Sequence, residues 1–137
     1  MTERPILLDT CAAIWLAAGD LRPQALAEVK ATLSAGVSVA VSPITAWEVG
    51  MLVSKRRIVL ASPVLAWFEA LIESGIDRTE LSSAVLVAAT ELDAPTLRDP
   101  ADRIIAATAR AFNYRLMTRD TPLLNYAAAG HAQAIPC

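Results

Sequence analysis

Apolar residues in this chain follow two alternating patterns: short continuous runs closed by a polar residue, and longer stretches at helical spacing. Ile6, Leu7 and Leu8 form a run that stops at Asp9 and Thr10, the pattern of a buried parallel strand with a carboxylate at its C-terminal end. Residues 11–18 predict a helix with Ile14, Trp15 and Leu16 as bulk, closed by Gly19 and Asp20. Pro23 starts a second helix through Leu26, Val29 and Leu33, with Gly36 as its stop. Val37, Val39 and Val41 then alternate with Ser38 and Ala40 as a strand. Ser42 as cap and Pro43 at the first helical position open a helix over 44–54 that carries Glu48 in its early turns.

A polar break at Lys55, Arg56 and Arg57 precedes a helix opened by Pro63, with Leu65, Phe68, Leu71 and Ile72 on its apolar side and Gly75 at its end. Residues 76–81 predict a short, polar-faced strand, and Ser82 caps a helix over 85–92. In the stretch from Leu97 to Phe112, Asp99 is a good N-cap, Pro100 suits the first helical position, and Asp102 is a first-turn acid that favours the helix dipole. Ile104, Ile105, Thr108, Ala111 and Phe112 form the face expected to be buried. Asn113 closes that helix in a left-handed conformation. A strand over 114–118, a short helix over 123–129 after Asp120, and an edge strand over 132–136 complete the chain. This alternation predicts one α/β domain over residues 1–137, a three-layer α/β/α sandwich with a central, mostly parallel sheet. Ligands of such a sheet sit beyond the C-terminal ends of its strands.

Composition narrows the function. Hydrophobic residues make up 55% of the chain and mean hydropathy is +0.43. That leaves room for an exposed apolar surface covered by a partner or a second copy, so a homodimer or higher assembly is expected. No apolar run approaches the roughly 20 residues of a membrane helix, and Asp9 interrupts the one stretch resembling a secretory signal. Two cysteines, Cys11 and Cys137, make neither a disulfide framework nor a zinc site, and the expected location is the cytoplasm. A net charge of −2 weighs against the usual basic nucleic-acid binder, unless acids gathered around a metal leave the remaining surface more positive. Lys55, Arg56, Arg57, Arg98 and Arg103 are then available for phosphate, although the 55–57 run reads first as a solvated helix end.

Four acids fall on that scheme at equivalent places. Asp9 ends the first strand, Asp120 follows a later one, Glu48 lies early in the helix after the second strand, and Asp102 opens the late helix. Two carboxylates about 5 Å apart repel by about 3 kcal/mol at an effective dielectric near 20. A divalent cation relieves that repulsion, and an all-oxygen donor set suits Mg²⁺ or Mn²⁺ over zinc.

The segments LLDT (7–10), AWEVG (46–50), DPADRIIAATA (99–109) and MTRD (117–120) resemble, in order and spacing, the motifs of the PIN-domain ribonucleases. They are most similar to those of VapC-type toxins of bacterial toxin–antitoxin pairs. The resemblance implies an acidic quartet of Asp9, Glu48, Asp102 and Asp120, with the Thr118 hydroxyl close to the metal and Asp99 chiefly a cap. It further implies Mg²⁺- or Mn²⁺-assisted hydrolysis of RNA to 5′-phosphate and 3′-hydroxyl ends, with one or two ions activating water. A small antitoxin covering the cleft is the implied partner. Family members commonly carry a histidine where Leu97 stands and a bulky residue in place of Ala101, departures that leave the quartet untouched.

The alternative is a catalytically idle PIN-like domain that serves protein interaction, against which an intact quartet argues. Cys11 reads as a packing thiol, since the chain's single histidine, His131, lies far along the sequence. Trp15, Trp47 and Trp67 read first as core or interface anchors, and second as surfaces for base stacking. A haloacid-dehalogenase-type phosphotransferase needs a second Asp where Cys11 stands, and no Walker lysine motif is present.

Overall fold

The structure, a computed structural model, describes residues 4–137. Five strands form one parallel sheet in the order β3-β2-β1-β4-β5: β1 (Ile6–Leu8), β2 (Val39–Val41), β3 (Asp77–Arg78), β4 (Arg115–Thr118) and β5 (Gln133–Pro136). The connecting helices are α1 (Thr10–Ala18), α2 (Pro23–Ser34), α3 (Ile44–Ser54), α4 (Val64–Glu73), α5 (Ser83–Thr90), α6 (Pro100–Ala111) and α7 (Thr121–Tyr126), the last running into a wide π-helical turn, Ala127–His131. Among the described residues no helix is long and apolar enough to cross a membrane.

Strand β1 is at the centre, and its side chains divide the core in two. Ile6 and Leu8 join Val39, Val41 and Met117 against Ala12, Ala13, Val29, Phe68 and Leu71 of α1, α2 and α4. Leu7 joins Ala40 and Leu116 against Ile105, Ala106, Ala109 and Leu123 of α6 and α7. These are the three expected layers. Because β1 pairs with β2 on one side and β4 on the other, the chain leaves the C-terminal edge of the sheet in opposite directions around it. A crevice at that switch point is the usual ligand site of an open parallel sheet.

Local chemistry moves several expected boundaries. Helix α1 starts one residue early, because the Asp9 carboxylate accepts the Ala12 N–H at 2.8 Å and caps it. Strand β2 begins only at Val39, since the Val37 N–H is still bound to the Thr32 carbonyl closing α2. Strand β3 shrinks to two residues. In α6 Ile105 and Thr108 are fully buried, as expected, and Ile104 is half-buried, but Ala111 and Phe112 lie in solvent. Phe112 is already the C-cap, and Asn113 at φ 57° turns the chain away as a left-handed residue.

Arg103, a candidate for phosphate, is used structurally. Its guanidinium donates to the carbonyls of Ala89, Leu92, Ala94 and Leu97 at 2.7–3.1 Å, tying the end of α5 and the loop after it to α6.

Candidate active site

Each acid of the expected quartet is placed by its own element. Asp9 sits where β1 becomes α1, its N–H bound to the Met117 carbonyl of β4 at 3.0 Å, and it is only 3% exposed. One carboxylate oxygen accepts the Ala12 N–H and the other the Thr118 hydroxyl at 2.5 Å. Thr118 in turn accepts the Asp120 N–H at 2.9 Å. The ends of β1 and β4 are thereby tied into one hydrogen-bonded chain, Asp120 to Thr118 to Asp9. Asp120 also caps α7 through the Leu123 N–H at 3.4 Å. Glu48, on α3, is held by the Thr10 hydroxyl, which also contacts the Thr45 hydroxyl at 3.2 Å.

Asp102 lies one turn into α6, its own N–H bound to the Asp99 carboxylate at 3.0 Å. Asp99 therefore caps the helix as expected. It does more than cap: Glu48, Asp99 and Asp102 each bring a carboxylate oxygen within 4.8 Å of the others. Asp99 belongs to the acid cluster, a membership the cap reading understated.

Crowding shows in the protonation equilibria. Asp102 is pushed up to about 8, by partial burial first and then by the charges of Asp120, Asp99, Glu48 and Asp9. Asp9 is pushed up to about 6, mainly by burial and against the opposing hydrogen bonds from Thr118 and Ala12. Glu48 is also raised, by burial foremost, with Thr10 opposing. All four acids of the quartet act on Asp102 or on one another, so they share one field at the C-terminal edge of the sheet. The donors are carboxylate and hydroxyl oxygens alone, a set that fits a hard divalent cation and would exchange like-charge repulsion for coordination.

Sequence reasoning missed three contributors. Thr10 holds Glu48 and Thr45 contacts Thr10, and the only sequence signal for Thr10 is that it follows Asp9 directly. Arg119, between Thr118 and Asp120, lays its guanidinium 3.5 Å from the ring centre of Trp15 and donates to the Cys137 carbonyl at 2.6 and 3.1 Å. Its charge favours the ionised form of Asp9. Cys11 departs from expectation in being exposed. Its thiol is pushed up to about 12, by partial burial of the group and then by Asp9, Asp120, Glu48 and Asp102, which works against an activated thiolate.

The comparisons with known proteins agree with this architecture. The PIN domain family model matches residues 6–129. Ribonuclease VapC22 of Mycobacterium tuberculosis is 34% identical over 122 residues, covering 88% of this chain and 91% of the relative. Among solved structures, VapBC2 from Rickettsia felis, bound to a promoter DNA fragment, superposes with a TM-score of 0.71 at 15% identity, covering 97% of this chain and 98% of that one, and is a likeness of fold. A toxin–antitoxin complex from Klebsiella pneumoniae gives a TM-score of 0.60 at 25% identity, covering 95% of each chain. With the family model matched along nearly the whole sheet and a relative one-third identical end to end, the chain belongs to the PIN domain family.

Proposed function

We propose that this chain, as a single PIN domain over residues 1–137, is a metal-dependent endoribonuclease and the toxin of a VapBC-type toxin–antitoxin pair. The observation that carries the reading is the gathering of acids from four separate elements at one sheet edge, where Glu48, Asp99 and Asp102 bring oxygens within 4.8 Å of one another and the charges of Asp120 and Asp9 add to burial in raising Asp102. A scaffold that only bound protein would gain nothing from such repulsion. The 34% identity to a ribonuclease supports the choice of RNA as substrate.

In this reading Asp9, Asp102 and Asp120 hold Mg²⁺ or Mn²⁺, Glu48 completes the cluster, and Asp99 adds a fifth carboxylate at its rim. Bound there, such an ion supplies a more acidic water and neutralises charge on a scissile phosphate. The protein's own work is positional. Asp9 is fixed from both sides by the Ala12 N–H and Thr118, one bond to each oxygen, which leaves each oxygen further acceptor capacity. Thr10 holds Glu48 in one rotamer, where its carboxylate can take the proton of an attacking water. Rigid supports of this kind are what a site requires to hold reacting groups in register.

Partner binding has physical support as well. A groove of about 580 Å³ is lined by Ile14, Trp15, Ile58, Val59, Leu60 and Trp67, and Val59 is 93% exposed. An antitoxin would cover that apolar surface. Exposed Leu86 and Val87 on α5 offer a second apolar face, where two copies would meet as a homodimer. A cytoplasmic location follows from the same role. Induction in bacterial cells tests it: wild-type protein should arrest growth and leave RNA fragments with 5′-phosphate ends, and co-expression of the small protein encoded beside it should restore growth. Unchanged growth on induction, with intact RNA, contradicts the toxin reading.

A further inference from the structure

Three tryptophans face three different fates. Trp15 lies beneath the Arg119 guanidinium and, like Trp67, packs against the core. Trp47 does neither. It is 58% exposed on α3, one residue before Glu48. From there a groove of about 210 Å³ runs along the helix, lined by Trp47, Glu48, Met51, Leu52, Lys55, Arg57 and Asp99. Its acidic end opens on the carboxylate cluster, and its far end is basic.

The basic end is shaped by the backbone. Lys55 caps α3, Arg56 takes a left-handed conformation at φ 57°, and the N–H of Arg57 turns back to the Leu52 carbonyl at 2.9 Å. A left-handed arginine is a strained conformation, and its effect is to return Arg57 to the groove. Among the described residues neither Lys55 nor Arg57 forms an ion pair with a carboxylate. From Trp47 to Lys55 the helix rises about 12 Å, room for a base at one end and a neighbouring phosphate at the other.

We propose that this groove holds the single-stranded RNA segment next to the scissile bond, with one base stacked on Trp47 over Met51 and the adjoining phosphates between Lys55 and Arg57. The inference rests on the ribonuclease reading and adds to it a substrate track outside the acid cluster. Aromatic stacking tolerates any base, so the track selects single strands over duplexes more than it selects sequence.

Three readouts test it with a short single-stranded RNA in the presence of Mg²⁺. In the Asp102→Asn protein, RNA should quench tryptophan fluorescence, and Trp47→Phe in that background should abolish the quench. In the otherwise wild-type protein, Trp47→Ala should raise KM for cleavage about 10-fold with kcat little changed. Lys55→Ala combined with Arg57→Ala should flatten the salt dependence of binding by about 1.4 in log–log slope. If Trp47→Ala fails to fold, that slope and the Trp47→Phe quench still decide. Quenching with no cleavage by the wild type leaves the groove standing and removes the nuclease reading. Cleavage whose KM is unmoved by Trp47→Ala, or a substitution that weakens only self-association or antitoxin binding, overturns the groove and leaves the nuclease reading intact.

Discussion

Asp102 and Asp9 set the protein's response to pH. Their folded-state values, about 8 and about 6, lie above the ordinary 3.8, so the folded chain binds more protons than the unfolded chain at neutral pH. By linkage, the stability those protons provide is fully present below about pH 4 and is lost as pH rises through 6 and then 8. In EDTA the Tm should therefore fall between about pH 5 and pH 8. Mg²⁺ or Mn²⁺ should raise it most at the alkaline end, where no protons need displacing. Thermal melts across that range check this, and a metal-free Tm that rises toward pH 8 contradicts it. Asp102→Asn should remove the upper part of the slope, leave the fold intact and lower cleavage by at least about 100-fold.

Helix α6 shows what a sequence reveals about an element and what it withholds. Its start was legible because capping is local: Asp99, Pro100 and Asp102 declare it within four positions. Asp99's place in the cluster was not, because it depends on how α3 packs against α6. Asparagine caps as well as aspartate, so Asp99→Asn should cost little stability and isolate the loss of charge, whereas Asp99→Ala should cost about 1 kcal/mol. The use of Arg103 was equally hidden, since its four carbonyl acceptors lie 6 to 14 residues away. Arg103→Ala should destabilise the protein by about 3 kcal/mol, measured by urea unfolding, without changing the salt dependence of RNA binding. A phosphate-contacting arginine would show the reverse. The misplaced apolar face, extended to Ala111 and Phe112, arose because helical periodicity marks a face but not how far along it the neighbouring elements reach.

The whole molecule brings together residues more than a hundred positions apart. Strand β1 lies between β2 and β4, all three run the same way, and each delivers its following residues to one edge. That is why alternation of strands and helices, together with acids at strand ends, was enough to place Asp9, Glu48, Asp102 and Asp120 toward one edge of the sheet, while the closest grouping, Glu48 with Asp99 and Asp102, came from the packing of helices. The threonines that orient the acids were mostly not foreseeable, for hydroxyls are common and only the folded geometry distinguishes Thr10 and Thr45 from the others. The central claim is that this convergence is a metal-dependent ribonuclease. Its most direct test is the rate at which purified protein cleaves a short single-stranded RNA as Mg²⁺ or Mn²⁺ is titrated, for the wild type, Asp9→Asn and Asp102→Asn. The expected result is a saturable dependence on the cation, abolished by EDTA and lost in both variants. Cleavage that survives both substitutions, or persists in excess EDTA, contradicts it.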